Sequence, residues 1–377
     1  MSIGPVQTQF FQLNETFPLD SGESFDTITL AYETYGSLNN EASNAILVLH
    51  ALTGSQHAAG INKSVPGVNP LWTDECVIGW WDAFIGPKKA LDTERYFIIC
   101  ANYLGSCYGS TGPRSTNPTT GNPYGSQFPQ VSAWDVIRSQ LHLLDFLGID
   151  CLHAVIGGSM GGMLSILLAT RCPHRVRNVL PIATGLETTV LHRVHNFEQI
   201  LAIRNDPKFQ GGDYYKSEPP KDGLLLARII SHKTFVSLRV MAKRAKQEIT
   251  LKQPIGHFYE LSNPIESYMF YQGKKFAERF DANSYLRIMD LWQRYSLEAV
   301  TPEIFSECKH QQYLIFSVDS DVCFYPEEQF SIVRALEGAG VPVKYITVHS
   351  NKGHDSFLLE PELYEPYIRF VLNNAAL

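Results

Sequence analysis

The sequence predicts an α/β protein: a mostly parallel sheet with helices on both faces, interrupted late in the chain by a mainly helical insertion. Three observations predict it. Short apolar runs rich in β-branched and aromatic residues recur along the chain, as buried strands require. Helical patterns lie between them, and strands joined through helices form a parallel sheet covered on both faces. The alternation lapses between about residues 185 and 300 and then resumes.

Taken in order, residues 46–49 (ILVL), 96–100 (YFIIC), 153–156 (HAVI), 179–182 (VLPI), 313–318 (YLIFSV) and 343–348 (VKYITV) read as strands. Residues 136–147 (VIRSQLHLLDFL) repeat apolar side chains at helical spacing and stop at Gly148. Residues 163–170 (MLSILLAT) are apolar almost all round, as a helix packed against a sheet would be. The lapse is rich in Arg, Lys, Tyr and Phe, with helical stretches at 223–230 and 287–294. The expected organisation is a core of residues 1–184 and 301–377, with 185–300 inserted as a helical cap (lid). The cap would cover the C-terminal edge of the sheet, where open α/β sheets bind ligands.

Composition narrows the function classes. The chain has 377 residues, 44% hydrophobic and 18% charged, with a net charge of −7. That suits a large globular core and gives no basic footprint for nucleic acid. The cluster Lys243, Arg244 and Lys246 reads as a solvated helix face, with a polyanion site as the lesser reading. Seven scattered cysteines without a CxxC pair indicate neither a zinc ribbon nor a disulfide framework, so reduced thiols are expected. The N-terminal MSIGPVQTQFFQLNETF has no secretory pattern, and no apolar run reaches the roughly 18 residues of a membrane helix. A cytoplasmic protein with no membrane partner is expected.

The strongest chemical signal is Gly157-Gly158-Ser159-Met160-Gly161, directly after the strand HAVI and directly before a helix. This is G-x-S-x-G in a strand–turn–helix setting, the nucleophile elbow of the α/β-hydrolase fold. A serine in a strained turn projects Oγ above the sheet, and the flanking glycines let strand and helix approach closely. A glycine-rich turn that merely packs tightly has the same spelling, and the flanking elements favour the elbow. The partners of such a serine follow as acid and then histidine. Asp319 and Asp321 both follow the strand YLIFSV, and Asp321, further past the strand, is preferred. His354 lies in a glycine-flanked loop past the last strand; its rival His349 sits at the end of that strand and is expected to pack. Oxyanion donors are expected from the backbone N–H of Leu52, after ILVL, and of Met160 at the helix start. His50, His57, His192 and His195 carry no recognisable ligand motif or carboxylate partner, so no metal is expected. Cys107 is expected to be an inert buried thiol.

Several longer stretches carry a resemblance. AYETYG (31–36), LHALTG (49–54), NYLGSCYGSTGP (102–113), GGSMGGM (157–163), GLLLAR (223–228), FAERFDANSYL (276–286) and GHDSFL (353–358) together resemble the homoserine O-acyltransferases and their serine-acylating relatives. NYLGSCYGSTGP and GHDSFL are the specific ones. The resemblance implies acyl transfer from acetyl-CoA, a substrate rather than a resident cofactor, to the hydroxyl of L-homoserine by way of acyl-Ser159. It further implies that Arg228 holds the acceptor's carboxylate and that Asp355 lies near its ammonium. It also implies a homodimer feeding methionine synthesis. One position departs: related enzymes often carry a tyrosine seven residues after the arginine, and here it is Phe235. Serine as acceptor, succinyl as acyl group, and a plain esterase on the same triad stay open.

Overall fold

The computed structural model describes residues 3–247, 254–255, 259–297 and 302–374. Eight strands, β1 (Gln9–Leu13), β2 (Ile28–Tyr35), β3 (Ala45–Leu49), β4 (Phe97–Ala101), β5 (Leu152–Gly158), β6 (Val176–Ile182), β7 (Gln312–Val318) and β8 (Val343–Val348), form one sheet. Their order across it is β1-β2-β4-β3-β5-β6-β7-β8. β1 pairs with β2, and β2 with β4, antiparallel; every other neighbouring pair is parallel. The six parallel strands are those legible as apolar runs. β1 and β2 were not expected: β1 is largely exposed, and β2 interrupts its apolar residues with Thr29, Glu33 and Thr34.

Successive side chains of a strand point to opposite faces, and β3 and β5 divide accordingly. Leu47, Leu49 and Val155 join one apolar cluster, Ile46, Val48 and Ile156 the other. Both faces are therefore sealed, and functional groups can reach solvent only at the strand ends.

In chain order the longer helices are α1 (Ala133–Phe146), α2 (Met160–Arg171), α3 (Val190–Arg204), α4 (Lys221–Phe235), α5 (Leu238–Gln247), α6 (Pro264–Arg279), α7 (Ala282–Arg294), α8 (Pro326–Gly338) and α9 (Pro361–Asn374). α2 packs on β5 and β6. Helices α3 to α7 belong to the stretch expected as a cap; its expected end at residue 300 lies outside the described residues. Among the described residues no helix is long and apolar enough to cross a membrane.

The sheet order reverses around β3, which lies between β4 and β5. That reversal opens a crevice at the C-terminal ends of the strands. Register brings the site's loops to it: Leu49 faces Gly157 across β3 and β5, Ile182 faces Gly158, and Val318 faces Val348. Leu52, Ser159, Asp321 and His354 each follow one of these strand ends by a few residues.

The turn from β5 to α2 is packed to its limit. A Cβ at Gly157 would lie 2.5 Å from the backbone of Gly161, and one at Gly161 would collide with the Leu49 carbonyl. Gly148 differs, with φ +71° and open space around it. Gly161→Ala is expected to cost about 3 kcal/mol or more, since neither backbone segment can move freely. Gly148→Ala is expected to cost about 1–2 kcal/mol from its left-handed backbone alone. Urea denaturation of both variants checks this, and equal losses would contradict it.

Candidate active site

Ser159 stands at the elbow with φ +59° and ψ −127°, a conformation that non-glycine residues rarely adopt. Holding it costs on the order of 1–3 kcal/mol, which the surroundings must supply. They do so through its backbone. Ser159 N–H donates to Ile182 O at 2.9 Å, and Thr184 Oγ1 donates to Ser159 O at 2.7 Å. Gly162 N–H donates to the same carbonyl at 2.9 Å, starting α2.

Asp321 and His354 meet. His354 Nδ1 donates to Asp321 Oδ2 at 2.7 Å, because an ionised carboxylate only accepts. The other oxygen, Oδ1, accepts from Cys323 N–H at 2.7 Å and Phe324 N–H at 3.0 Å, which fixes the carboxylate in a turn. The imidazole is buried and ringed by aromatics. Phe324 stacks at 5.5 Å between centroids, and Phe357 stands edge-on at 5.3 Å. Among the described residues His354 Nε2 has no hydrogen-bond partner. Burial works against a charged imidazolium here. The charge and hydrogen bond of Asp321, with smaller contributions from Asp355 and Glu328, outweigh it and hold the His354 pKa above its ordinary value.

The competing residues pair with each other. His349 is exposed, not packed, and its Nδ1 lies 2.8 Å from Asp319 Oδ2. Strands that lie side by side send their following loops side by side, so each of the two carboxylates after β7 meets a histidine after β8. Only the inner pair is buried.

Ser159 and His354 line a cavity of about 160 Å³ together with Leu52, Arg228, Phe235, Arg279, Trp292 and Asp355. Leu52 N–H has no hydrogen-bond partner among the described residues, and Met160 is the first residue of α2, where N–H groups are unpaired by geometry. Both are thus free to donate into the site. Arg228 makes no ion pair among the described residues. Its guanidinium lies 5.3 Å from the centroid of Phe235 and 5.0 Å from that of Phe276. Burial, then the neighbouring charge of Arg279, holds its pKa below the ordinary value. Phe235 lies between this guanidinium and the His354 ring, whose centroid is 6.0 Å away. Asp355, partly buried on the cavity wall, has its pKa raised by burial, partly offset by His354 and Arg228.

Three features were not anticipated. Arg279, at the end of α6, reaches the cavity, where its Nη1 donates to Tyr108 OH at 2.8 Å and to Thr53 O at 3.4 Å. Glu328, whose pKa burial pushes up to about 8, places its carboxyl near the Asp321–His354 pair. The third corrects an expectation, because His57 does have a carboxylate partner. Its Nδ1 lies 2.7 Å from Glu33 Oε2, and Glu33 is wholly buried in β2. That carboxylate also accepts from Tyr35 OH, Thr8 Oγ1 and Asn62 Nδ2, each at 2.8 Å. His57 Nε2 faces Val77 O at 3.1 Å, so both ring nitrogens face acceptors. Tyr35 OH in turn accepts from Ala58 and Ala59 N–H at 2.8 and 3.1 Å, tying down the loop that begins at Leu52. Removing one member of such a buried pair costs about 3–5 kcal/mol. The partners lie 24 residues apart on different elements, a separation no local motif spans. No cluster able to hold a metal ion exists among the described residues. Burial, then Asp281, raises the pKa of Cys107, so its thiol stays protonated.

These features coincide with known proteins. Residues 44–361 match the model of the alpha/beta hydrolase fold family. A homoserine O-acetyltransferase of Methanohalobium evestigatum is 42% identical over 99% of this chain and 74% of its own length. Among solved structures, a homoserine O-acetyltransferase from Bacillus anthracis superposes with a TM-score of 0.86 at 27% identity, covering 98% of each chain. The esterase E22 superposes with the same TM-score of 0.86 at 26% identity, covering 97% of this chain and 100% of that one. Identity of 42% over nearly the whole of this chain, together with the shared fold, makes this chain a member of the homoserine O-acetyltransferase family, an acyltransferase family of the α/β-hydrolase fold.

Proposed function

We propose that the protein transfers an acetyl group from acetyl-CoA to the side-chain hydroxyl of L-homoserine, in two half-reactions through acyl-Ser159, as a step of methionine synthesis. One observation carries the reading: an open His354 Nε2, backed by Asp321, shares a small cavity with Ser159 and with a guanidinium that has no carboxylate partner.

In the first half-reaction His354 Nε2 takes the Ser159 proton as Oγ attacks the thioester carbonyl. Charge developing on the carbonyl oxygen meets the N–H groups of Leu52 and Met160, an interaction realised only as the tetrahedral species forms. The intermediate collapses, the C–S bond breaks, and His354 returns the proton to the departing thiolate. In the second half-reaction the acceptor hydroxyl gives its proton to His354 and attacks the acyl carbonyl, and the ester Oγ leaves with that proton. Arg228 suits the acceptor's carboxylate because its planar fork lies against two rings and has no ion pair among the described residues. Asp355 suits the ammonium. The cavity, about 160 Å³, is small beside the roughly 300–1,000 Å³ of ordinary ligand sites. Such a space admits an acyl group and a small amino acid while leaving little room for competing water.

Phe235 supports a second reading, acylation of L-serine, because no hydroxyl at that position helps to distinguish the two acceptors. A difference of one methylene is worth only about 1–3 kcal/mol. The proposed assembly is a cytoplasmic homodimer, supported by an exposed apolar stripe on α3 formed by Val190, Leu191, Val194, Phe197 and Leu201.

Release of coenzyme A thiol from acetyl- or succinyl-CoA, with homoserine or serine, is expected to depend on acceptor and to be fastest for acetyl-CoA with homoserine. Ser159→Ala should lower it by about 10⁶-fold. Acceptor-independent release would point to an esterase, and no release from any pair would end the transferase reading.

The pH dependence follows from His354. The neutral ring is the base, so activity is absent below its pKa and rises through it. Because that pKa is raised, the midpoint of kcat/KM is expected above about 6.5, the ordinary histidine value. Asp321→Asn should lower the rate by about 10⁴-fold and move the midpoint down. A midpoint at or below the ordinary value in the unaltered enzyme contradicts the assignment.

A further inference from the structure

The outward face of α5 is a row of cations without counterions among the described residues. Arg239, Lys243 and Lys246 are exposed at spacings of four and three, so they share one face, while Met241 and Ala245 are buried against α6. Among the described residues none of these cations, nor Arg244, has a carboxylate within ion-pair distance. On neighbouring helices some cations are paired, Lys221 with Glu278, Lys275 with Glu75 and Arg294 with Asp290, while others such as Arg204, Lys233 and Lys274 have no such pair among the described residues. Like charges at these spacings destabilise a helix. In a chain with a net charge of −7, an uncompensated row breaks a local rule with no gain visible in the protein alone.

The helix is attached to the catalytic loop. Its first turn follows Phe235 of the cavity wall, and Ser237 Oγ donates to Asn351 O. Ser237 N–H donates to Lys352 O at 3.4 Å, and a Cβ at Gly353 would lie 2.8 Å from Ser237 N. α5 therefore starts beside the loop that carries His354. Arg244 lies on the inner side, close enough for its charge to bear on Asp355. Burial, then Arg228 and Arg244, push the His232 pKa down to about 3. The row of Arg239, Lys243 and Lys246 spans roughly 10 Å at 1.5 Å per residue.

A cavity of about 160 Å³ takes the acyl end of a coenzyme A thioester and leaves the nucleotide outside. That excluded part carries a pyrophosphate and a ribose 3′-phosphate. We propose that Arg239, Lys243 and Lys246 on α5 bind these phosphates, making α5 the donor-docking helix beside the catalytic histidine. The inference rests on the acyl-CoA reading of the site and adds to it where the donor's charge is held.

Steady-state kinetics with two donors, acetyl-CoA and S-acetylpantetheine, which lacks the nucleotide and its phosphates, separates the outcomes. The variant Arg239→Gln/Lys243→Gln/Lys246→Gln is expected to raise the KM for acetyl-CoA roughly five- to tenfold, as removal of several solvent-exposed charge contacts should. Its kinetics with S-acetylpantetheine should match the unaltered enzyme. Added salt should raise the KM for acetyl-CoA in the unaltered enzyme and have little effect in the variant. An unchanged KM for acetyl-CoA would make the row a solvated face and overturn the proposal. Equal increases with both donors would mean that α5 acts through the cavity, which also overturns it. No turnover of either donor by the unaltered enzyme would instead remove the acyl-CoA reading on which the inference rests.

Discussion

The approach of α2 to β3 beneath Ser159 is the constraint on which the rest depends. Because Gly157 and Gly161 carry no side chain, the Leu49 carbonyl, the end of β5 and the start of α2 share one small volume. Ser159 is thereby forced to positive φ, and Met160 becomes the first residue of a helix whose N–H groups point at the reacting centre. The same contact brings the end of β3 under the elbow, so that Leu52 comes within the same cavity as the serine. Ser159 and the two N–H groups proposed as oxyanion donors are thus placed by one packing event. Parallel register between β7 and β8 then delivers acid and histidine to the same edge.

Polar groups behind the site hold this arrangement at some cost. Glu33 and His57 are almost wholly removed from water and survive there because the carboxylate accepts four hydrogen bonds and both ring nitrogens have acceptors. A pair of apolar residues of similar volume would pack as well or better. What the buried Glu33–His57 pair supplies is attachment: through Tyr35 it holds the backbone at Ala58 and Ala59, on the loop that presents Leu52. From α6, Arg279 donates to Thr53 of that loop. The loop that carries Leu52 is therefore gripped from the sheet and from α6 at once.

The sheet was legible wherever strands are buried on both faces, since such strands must be continuous apolar runs. β1 and β2 escaped because an edge strand and a strand carrying a buried glutamate do not look apolar. Ser159, Asp321 and His354 could be named as candidates because chain order and strand ends constrain them, and geometry separates the inner Asp321–His354 pair from the exposed Asp319–His349 pair. Sequence could not show that His57 has a partner, because Glu33 is distant in the chain. Nor could it show that Arg279, which reads as an ordinary helix-end cation, reaches the cavity. The cations of α5 were visible as a cluster. Their position beside the His354 loop exists only in three dimensions.

The central claim is that Ser159 carries the acyl group between donor and acceptor. Intact-protein and peptide mass spectrometry after brief exposure to acetyl-CoA without acceptor tests it most directly. The account predicts one added acetyl group, located on the peptide containing Ser159, lost when homoserine is supplied and absent from Ser159→Ala. Turnover of acetyl-CoA and homoserine with no acetylated Ser159 under any quench condition, or with undiminished rate in Ser159→Ala, would contradict it.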